Sequence, residues 1–264
     1  MKTLQEQLSL TGKTALVTGG AGYLGSSISE TLAELGADVI IASRNLQKCR
    51  EWCEKLRRRF PSIQATPLKI DLIDPHSVQL AFETIHQQTS GLDILVNNAW
   101  SGRKSSLESA TEESWRHDLE MSLTSVFRCV RHAIPGLKKK RGVILNITSM
   151  YGHVAPDYRL YQGNQHVNPP GYGAAKAGVI QLSKYMASFL SPYGIRVNCL
   201  SPGPFPHPEA QQDKVFMQRL AERNPLGRIG QPEELKGAVA LMCSDASSYM
   251  TGQHLSVDGG WSIW

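Results

Sequence analysis

The sequence predicts a single α/β domain over residues 1–264, built as a doubly wound parallel sheet of about seven strands with helices on both faces. Three observations lead there. Short apolar runs alternate with helix-period segments along the whole chain. A glycine-rich turn joins the first run to the first long helix. No linker or composition shift divides the sequence, and no internal repeat is visible.

The expected strands are Thr14–Thr18, Val39–Ala42, Ile63–Ile70, Ile94–Asn97, Val143–Thr148, Arg196–Leu200 and His254–Val257. Their runs suit strands buried on both faces. Helical patterns occupy roughly 24–35, 46–59, 75–89, 111–138, 172–191 and 232–243. Irregular stretches at Trp100–Ala110, Met150–Gly171 and Ser201–Gln212 follow strand C-termini, where an open α/β sheet binds ligands.

Composition narrows the function classes. The chain is 41% hydrophobic with a net charge of +5, enough for a substantial core and no argument for nucleic acid. The runs Arg57–Arg59 and Lys138–Arg141 fall where helices should end, where cations suit the helix dipole. Cys49, Cys53, Cys129, Cys199 and Cys243 are scattered without metal-ligand spacing, so free thiols in a reducing cytoplasm and no metal site are expected. Met1 to Gly12 is polar, and no run is long enough to span a membrane.

Two constellations carry chemistry. Tyr172 and Lys176 stand four residues apart in a helical run, on one face. An ammonium there is expected to lower the phenol's pKa and let it exchange a proton with an alcohol or carbonyl. Near the N-terminus, a strand, then Gly19, Gly20, Gly22 and Gly25, then a helix form an anion site for a pyrophosphate. A carboxylate about twenty residues after such a turn selects NAD. Here Ser43, Arg44 and Asn45 stand instead. A serine does not repel a 2′-phosphate and an arginine grips one, so NADP(H) is preferred, with NAD(H) the alternative.

With these residues in order, the chain resembles the short-chain dehydrogenase/reductase family over nearly its whole length. The resemblance rests on Thr18-Gly19-Gly20-Ala21-Gly22-Tyr23-Leu24-Gly25, Asp71-Leu72, Asn97-Asn98-Ala99, Asn146-Ile147-Thr148-Ser149, Tyr172 with Lys176, Ser201-Pro202-Gly203 and Asp258-Gly259-Gly260. It implies a Rossmann-type domain that interconverts a carbonyl and a secondary alcohol. Tyr172 would be the general acid or base, Lys176 its partner and a ribose contact, and Ser149 the donor to the substrate oxygen. Gly19, Gly22, Tyr23, Leu24, Asp71, Leu72, Asn97, Ala99, Pro202 and Gly203 would join Ser43, Arg44 and Asn45 around the cofactor. A homotetramer or dimer through the long helices is also implied.

Three departures stand out. Tyr23 occupies the place of a usual glycine, and the spacing otherwise suits nucleotide-sugar epimerases or dehydratases. Trp100 follows the Asn-Asn-Ala motif, either as a pocket wall or as a hydrophobic plug. Ser122, seven residues after Trp115, replaces the family's catalytic asparagine. That replacement leaves a cofactor-binding protein with impaired turnover as a rival reading. Ser149 and Tyr172 are 23 positions apart, so about ten residues look inserted. The segment 150–171 carries Tyr151, expected with Trp100 at the substrate, and His153, Asp157, Tyr158, Arg159, Tyr161, Gln162, Asn164, Gln165, His166 and Asn168. Such a lip suits a polar substrate and resembles sugar and sugar-acid oxidoreductases. The proline-rich segment 201–212 would form the opposite lid.

Overall fold

The computed structural model describes residues 1–102, 104–161 and 167–263. The chain opens with α1 (Leu4–Leu8), β1 (Thr14–Thr18), α2 (Tyr23–Glu34), β2 (Asp38–Ser43), α3 (Leu46–Arg59), β3 (Ala65–Lys69), α4 (Pro75–Gln88) and β4 (Ile94–Asn97). It continues with α5 (Glu112–Leu119), α6 (Ser125–Lys140), β5 (Val143–Ile147), α7 (Pro170–Leu190), β6 (Arg196–Pro202), α8 (Lys214–Arg223), α9 (Lys236–Cys243) and β7 (His254–Val257).

All seven strands run parallel in the order β3-β2-β1-β4-β5-β6-β7. The order reverses between β1 and β4, which opens a crevice at the strand C-termini. Period-two burial explains the layers. Ala15, Val17, Val39, Ile41, Val143 and Leu145 face one way, against Ile28 and Leu32 of α2, Cys53 and Leu56 of α3, and Val239 of α9. Leu16, Ile40, Leu95, Ile144 and Val197 face the other way, against Phe82 of α4, Val130 and Leu137 of α6, and Val179 of α7. Each buried Val, Leu, Ile or Phe among them contributes about 1.5–3 kcal/mol. Both faces are therefore closed, and the ends of the strands are left for ligands.

Sequence and structure differ in several places. The helix expected over 111–138 is two helices joined by a widened π turn at Glu120–Thr124, and Ser122 lies in it. Two helices were not among those expected: α1 has only five residues, fixed by a Thr3–Glu6 capping box, and α8 buries only Phe216 and Leu220. Pro67 stands in β3, tolerated because β3 is an edge strand paired only with β2. Finally, β6 runs on to Pro202 and α7 begins at Pro170, so both outlast the expected ends. The basic runs close α3 and α6 as expected. All five cysteines are free and buried, and among the described residues no helix is long and apolar enough to cross a membrane.

A buried polar chain ties the sheet to α7. Asn97 Nδ2 donates to Asn146 Oδ1 at 2.8 Å, and Asn146 Nδ2 donates to Ser183 Oγ at 2.7 Å. Replacing Asn146 by Ala leaves the buried Asn97 amide without its acceptor, while Ser183 Oγ keeps its bond to Val179 O. The expected loss is about 1–3 kcal/mol in urea unfolding. An unchanged midpoint with an unchanged slope would show that this chain of bonds does not contribute.

Candidate active site

The cleft begins where β1 ends. Gly19 has φ 64°, and a Cβ there would lie 2.9 Å from Ala99 Cα. A Cβ at Gly25 would fall 2.0 Å from Gly19 O. Only glycine lets these backbones meet. Asn98 Nδ2 donates to Thr18 O at 3.0 Å and Gly19 O at 3.3 Å, fixing the turn from the β4 side. Gly22 is the N-cap of α2 and offers no side-chain acceptor, so the first turn presents N–H groups to the cleft. This cradle fits a pyrophosphate.

A cavity of about 690 Å³ runs from that turn along the strand ends. Gly19, Gly22, Tyr23, Leu24, Ser43, Arg44, Asp71, Leu72, Ala99, Trp100, Ser149, Tyr151, Tyr172, Lys176, Pro202 and Gly203 all line it. Arg44 and the unanticipated Lys48 stand together at its β2 end, and no carboxylate among the described residues pairs with either. Leu72 is held there by its carbonyl, which accepts from Arg128 Nη1 at 2.6 Å.

Three expected residues are not on the cavity wall. Asn97 spends its carboxamide on Asn146 inside the sheet. Asn45 caps α3, its Oδ1 accepting from Lys48 N at 2.9 Å. Ser122 is buried with its Oγ unpartnered, one residue beyond Met121, which does reach the cavity. Part of the inserted segment, Gln162 and Asn164–His166, lies outside the described residues. Of the remainder, Tyr161 and Asn168 line the cavity, Asp157 pairs with Arg159, and His153 stacks edge-on to His254 at 4.7 Å.

Ser149 follows β5 and caps the short turn at Met150–Gly152, its Oγ accepting from Tyr151 N at 3.2 Å. Lys176 is buried and donates to Ile147 O at 2.8 Å. Its Nζ is 5.7 Å from the centre of the Tyr172 ring. Trp100 stands edge-on to that ring at 5.1 Å, which makes it a wall of the cleft. The Tyr151 and Tyr161 hydroxyls meet at 2.5 Å, and burial pushes both phenols up.

Electrostatics correct one sequence expectation. Desolvation raises the Tyr172 pKa, and the opposing pull comes from a hydrogen bond with Ser149 rather than from Lys176. The ammonium is turned toward the Ile147 carbonyl and is itself pushed down to about 8 by burial. Spacing of four residues put the two on one face; it could not tell which way the amine turns.

Across the cleft, Tyr23 meets the segment 201–212. Its hydroxyl accepts from Gln211 Nε2 at 3.1 Å, and its ring stands edge-on to His207 at 5.3 Å. The residue that departs from the expected glycine thus joins the anion turn to the segment 201–212.

Fold and cleft together define a Rossmann-type α/β protein with a long crevice at the sheet's switch point. A family model described as enoyl-(acyl carrier protein) reductase matches residues 20–262. The chain is 33% identical over 257 residues to the 3-oxoacyl-(acyl-carrier-protein) reductase of Aquifex aeolicus, covering 96% of this chain and 99% of that protein. Among solved structures it is similar to a gluconate 5-dehydrogenase from Burkholderia cenocepacia in complex with NADP and tartrate, at 29% identity and TM-score 0.89, covering 99% of this chain and 100% of that one. It is also similar to the L-sorbose reductase of Gluconobacter frateurii complexed with NADPH and L-sorbose, at 27% identity and TM-score 0.88, covering 98% and 99%. The chain belongs to the short-chain dehydrogenase/reductase family. It is an oxidoreductase acting on CH–OH groups.

The depressed pKa of Lys176 gives a stability signature. Between pH 8 and pH 10.5 the unfolded lysine holds a proton that the folded one has released, so this group makes stability rise with pH. Below pH 8 the buried charge is a cost. Lys176→Met should therefore compare best with the wild type at neutral pH and lose ground as pH climbs through that window. Urea titrations at several pH values check it; a constant gap would refute the assignment.

Proposed function

We propose that the chain is an NADP(H)-dependent oxidoreductase that interconverts a carbonyl and a secondary alcohol on a polar, sugar-like small molecule. One observation carries the reading: a single cavity has Ser149, Tyr172 and Lys176 on one wall and Ser43, Arg44 and Lys48 at its far end. The glycine cradle between them suits the pyrophosphate, and the two cations suit a 2′-phosphate.

The nicotinamide, when bound, supplies the hydride and, in its oxidised form, a positive charge. The chain's own residues handle the proton. Ser149 Oγ donates a hydrogen bond to the substrate oxygen and helps hold the charge that develops there. Tyr172 Oη, a phenol protonated at neutral pH and held more firmly so by burial, gives its proton to that oxygen during reduction. Lys176, anchored on Ile147 O, keeps a positive charge beneath the phenol and is placed to hold the ribose. Trp100 limits the entry of water from the open side.

A polar substrate is supported by Ser101, Lys104, Asn168 and the paired Tyr151 and Tyr161 hydroxyls along the cleft. A 3-oxoacyl thioester is the competing class, favoured by the names of sequence relatives and by Met150, Phe216 and Leu220 on the lid side. The reading includes a homo-oligomer formed through the exposed aromatic side chains of α6 and α7, among them Phe127, Tyr185 and Phe189.

Two experiments test the reading. Polyols, aldonates, ketoses and a 3-oxoacyl thioester are assayed with each nicotinamide cofactor by its absorbance. Tyr172→Phe should then lower kcat by about 10²–10⁴-fold while NADPH still binds; retained turnover would refute the assignment. Ser43→Asp with Arg44→Ile should shift preference toward NAD, and unchanged discrimination would remove the argument from those positions.

A further inference from the structure

Lys104 is the one cation at the substrate end of the cleft, among the described residues, that the reaction scheme above leaves without work. It lines the cavity from the loop after β4. Its Nζ lies 5.7 Å from the centre of the Trp100 ring, and Trp100 in turn stands against Tyr172. The ammonium is therefore one indole away from the phenol. Its hydrogen-bond partner is the neutral Asn168 Oδ1, at a long 3.4 Å. No carboxylate among the described residues pairs with it.

The contrast with the other cations near the cleft is informative. Lys176 is committed to Ile147 O. Arg44 and Lys48 stand at the β2 end, beyond the glycine turn. Among the described residues, Lys104 is the cation on this side of the cavity that no carboxylate or backbone carbonyl holds. Its side chain still reaches solvent, so an arriving anion can meet it. Partial desolvation by the surrounding protein also lowers its pKa.

We propose that Lys104 is a specificity residue that receives the carboxylate of a hydroxy-acid or oxo-acid substrate whose reacting carbon lies at Ser149 and Tyr172. Trp100 would carry the carbon backbone between the two ends, with Asn168 holding the ammonium in place. The occupant is thus an acid of the aldonate type rather than a neutral ketose or an acyl thioester. This inference rests on the oxidoreductase reading of the same cavity and narrows its substrate class.

Matched pairs separate charge from shape. D-gluconate is compared with sorbitol, and tartrate with threitol, by calorimetric titration into NADPH-loaded protein. The wild type should bind each acid about 10- to 100-fold more tightly than its neutral partner, as expected for one charge-assisted contact. Added salt should narrow the gap. Lys104→Met should collapse the ratio toward unity, Lys104→Arg should retain most of it, and an NADPH titration shows that each variant is folded. Equal binding of acid and neutral partner by the wild type, or a ratio that survives Lys104→Met, overturns the proposal. Turnover is recorded separately. Acid selectivity without hydride transfer would leave the anchor standing and remove the oxidoreductase reading, whereas turnover of both classes without selectivity would overturn the anchor alone.

Discussion

Gly25 packs its α-carbon so close to the Gly19 carbonyl that no side chain fits between them. That contact brings α2 down onto the end of β1 and aims its free N–H groups along the sheet. Asn98 completes the arrangement from β4, holding the two strands that flank the switch point at one separation. The cleft exists because these backbones meet there. Ser149 after β5 and Pro202 at the end of β6 are then carried to the same rim by the parallel register alone.

A second constraint is electrostatic. Lys176 is buried, no carboxylate among the described residues pairs with it, and a backbone carbonyl is its acceptor. Charge in such a place is costly, which is why its pKa falls toward neutrality while the phenol's rises. The two groups, which start from similar acidities, are thus driven apart, and the ammonium gives up its proton before the phenol does. The polar chain through Asn97, Asn146 and Ser183 supports this by tying α7, which carries both residues, to the strands beneath.

Much of this was legible in the sequence because strands buried on both faces read as apolar runs and because the glycine turn tolerates no other residue type. Tyr172 and Lys176 were legible from spacing. The direction of Asn97 was not recognised, although strand parity contained it. Leu95 faces α4, α6 and α7, so Asn97, two residues on, must face them too. The π turn at Ser122 left no mark in the periodicity, since one widened turn barely displaces an apolar stripe. Lys48 and Lys104 escaped notice because a lone lysine in a first helical turn or a loop looks like any solvated cation. Only the fold shows which of them faces the cleft.

Tyr23 gives the molecule a mechanical property as well as a chemical one. The same residue opens the helix that faces the pyrophosphate and holds Gln211 and His207 of the covering segment. Gln211 and His207 cannot shift away from the glycine turn without giving up that hydrogen bond and that ring contact.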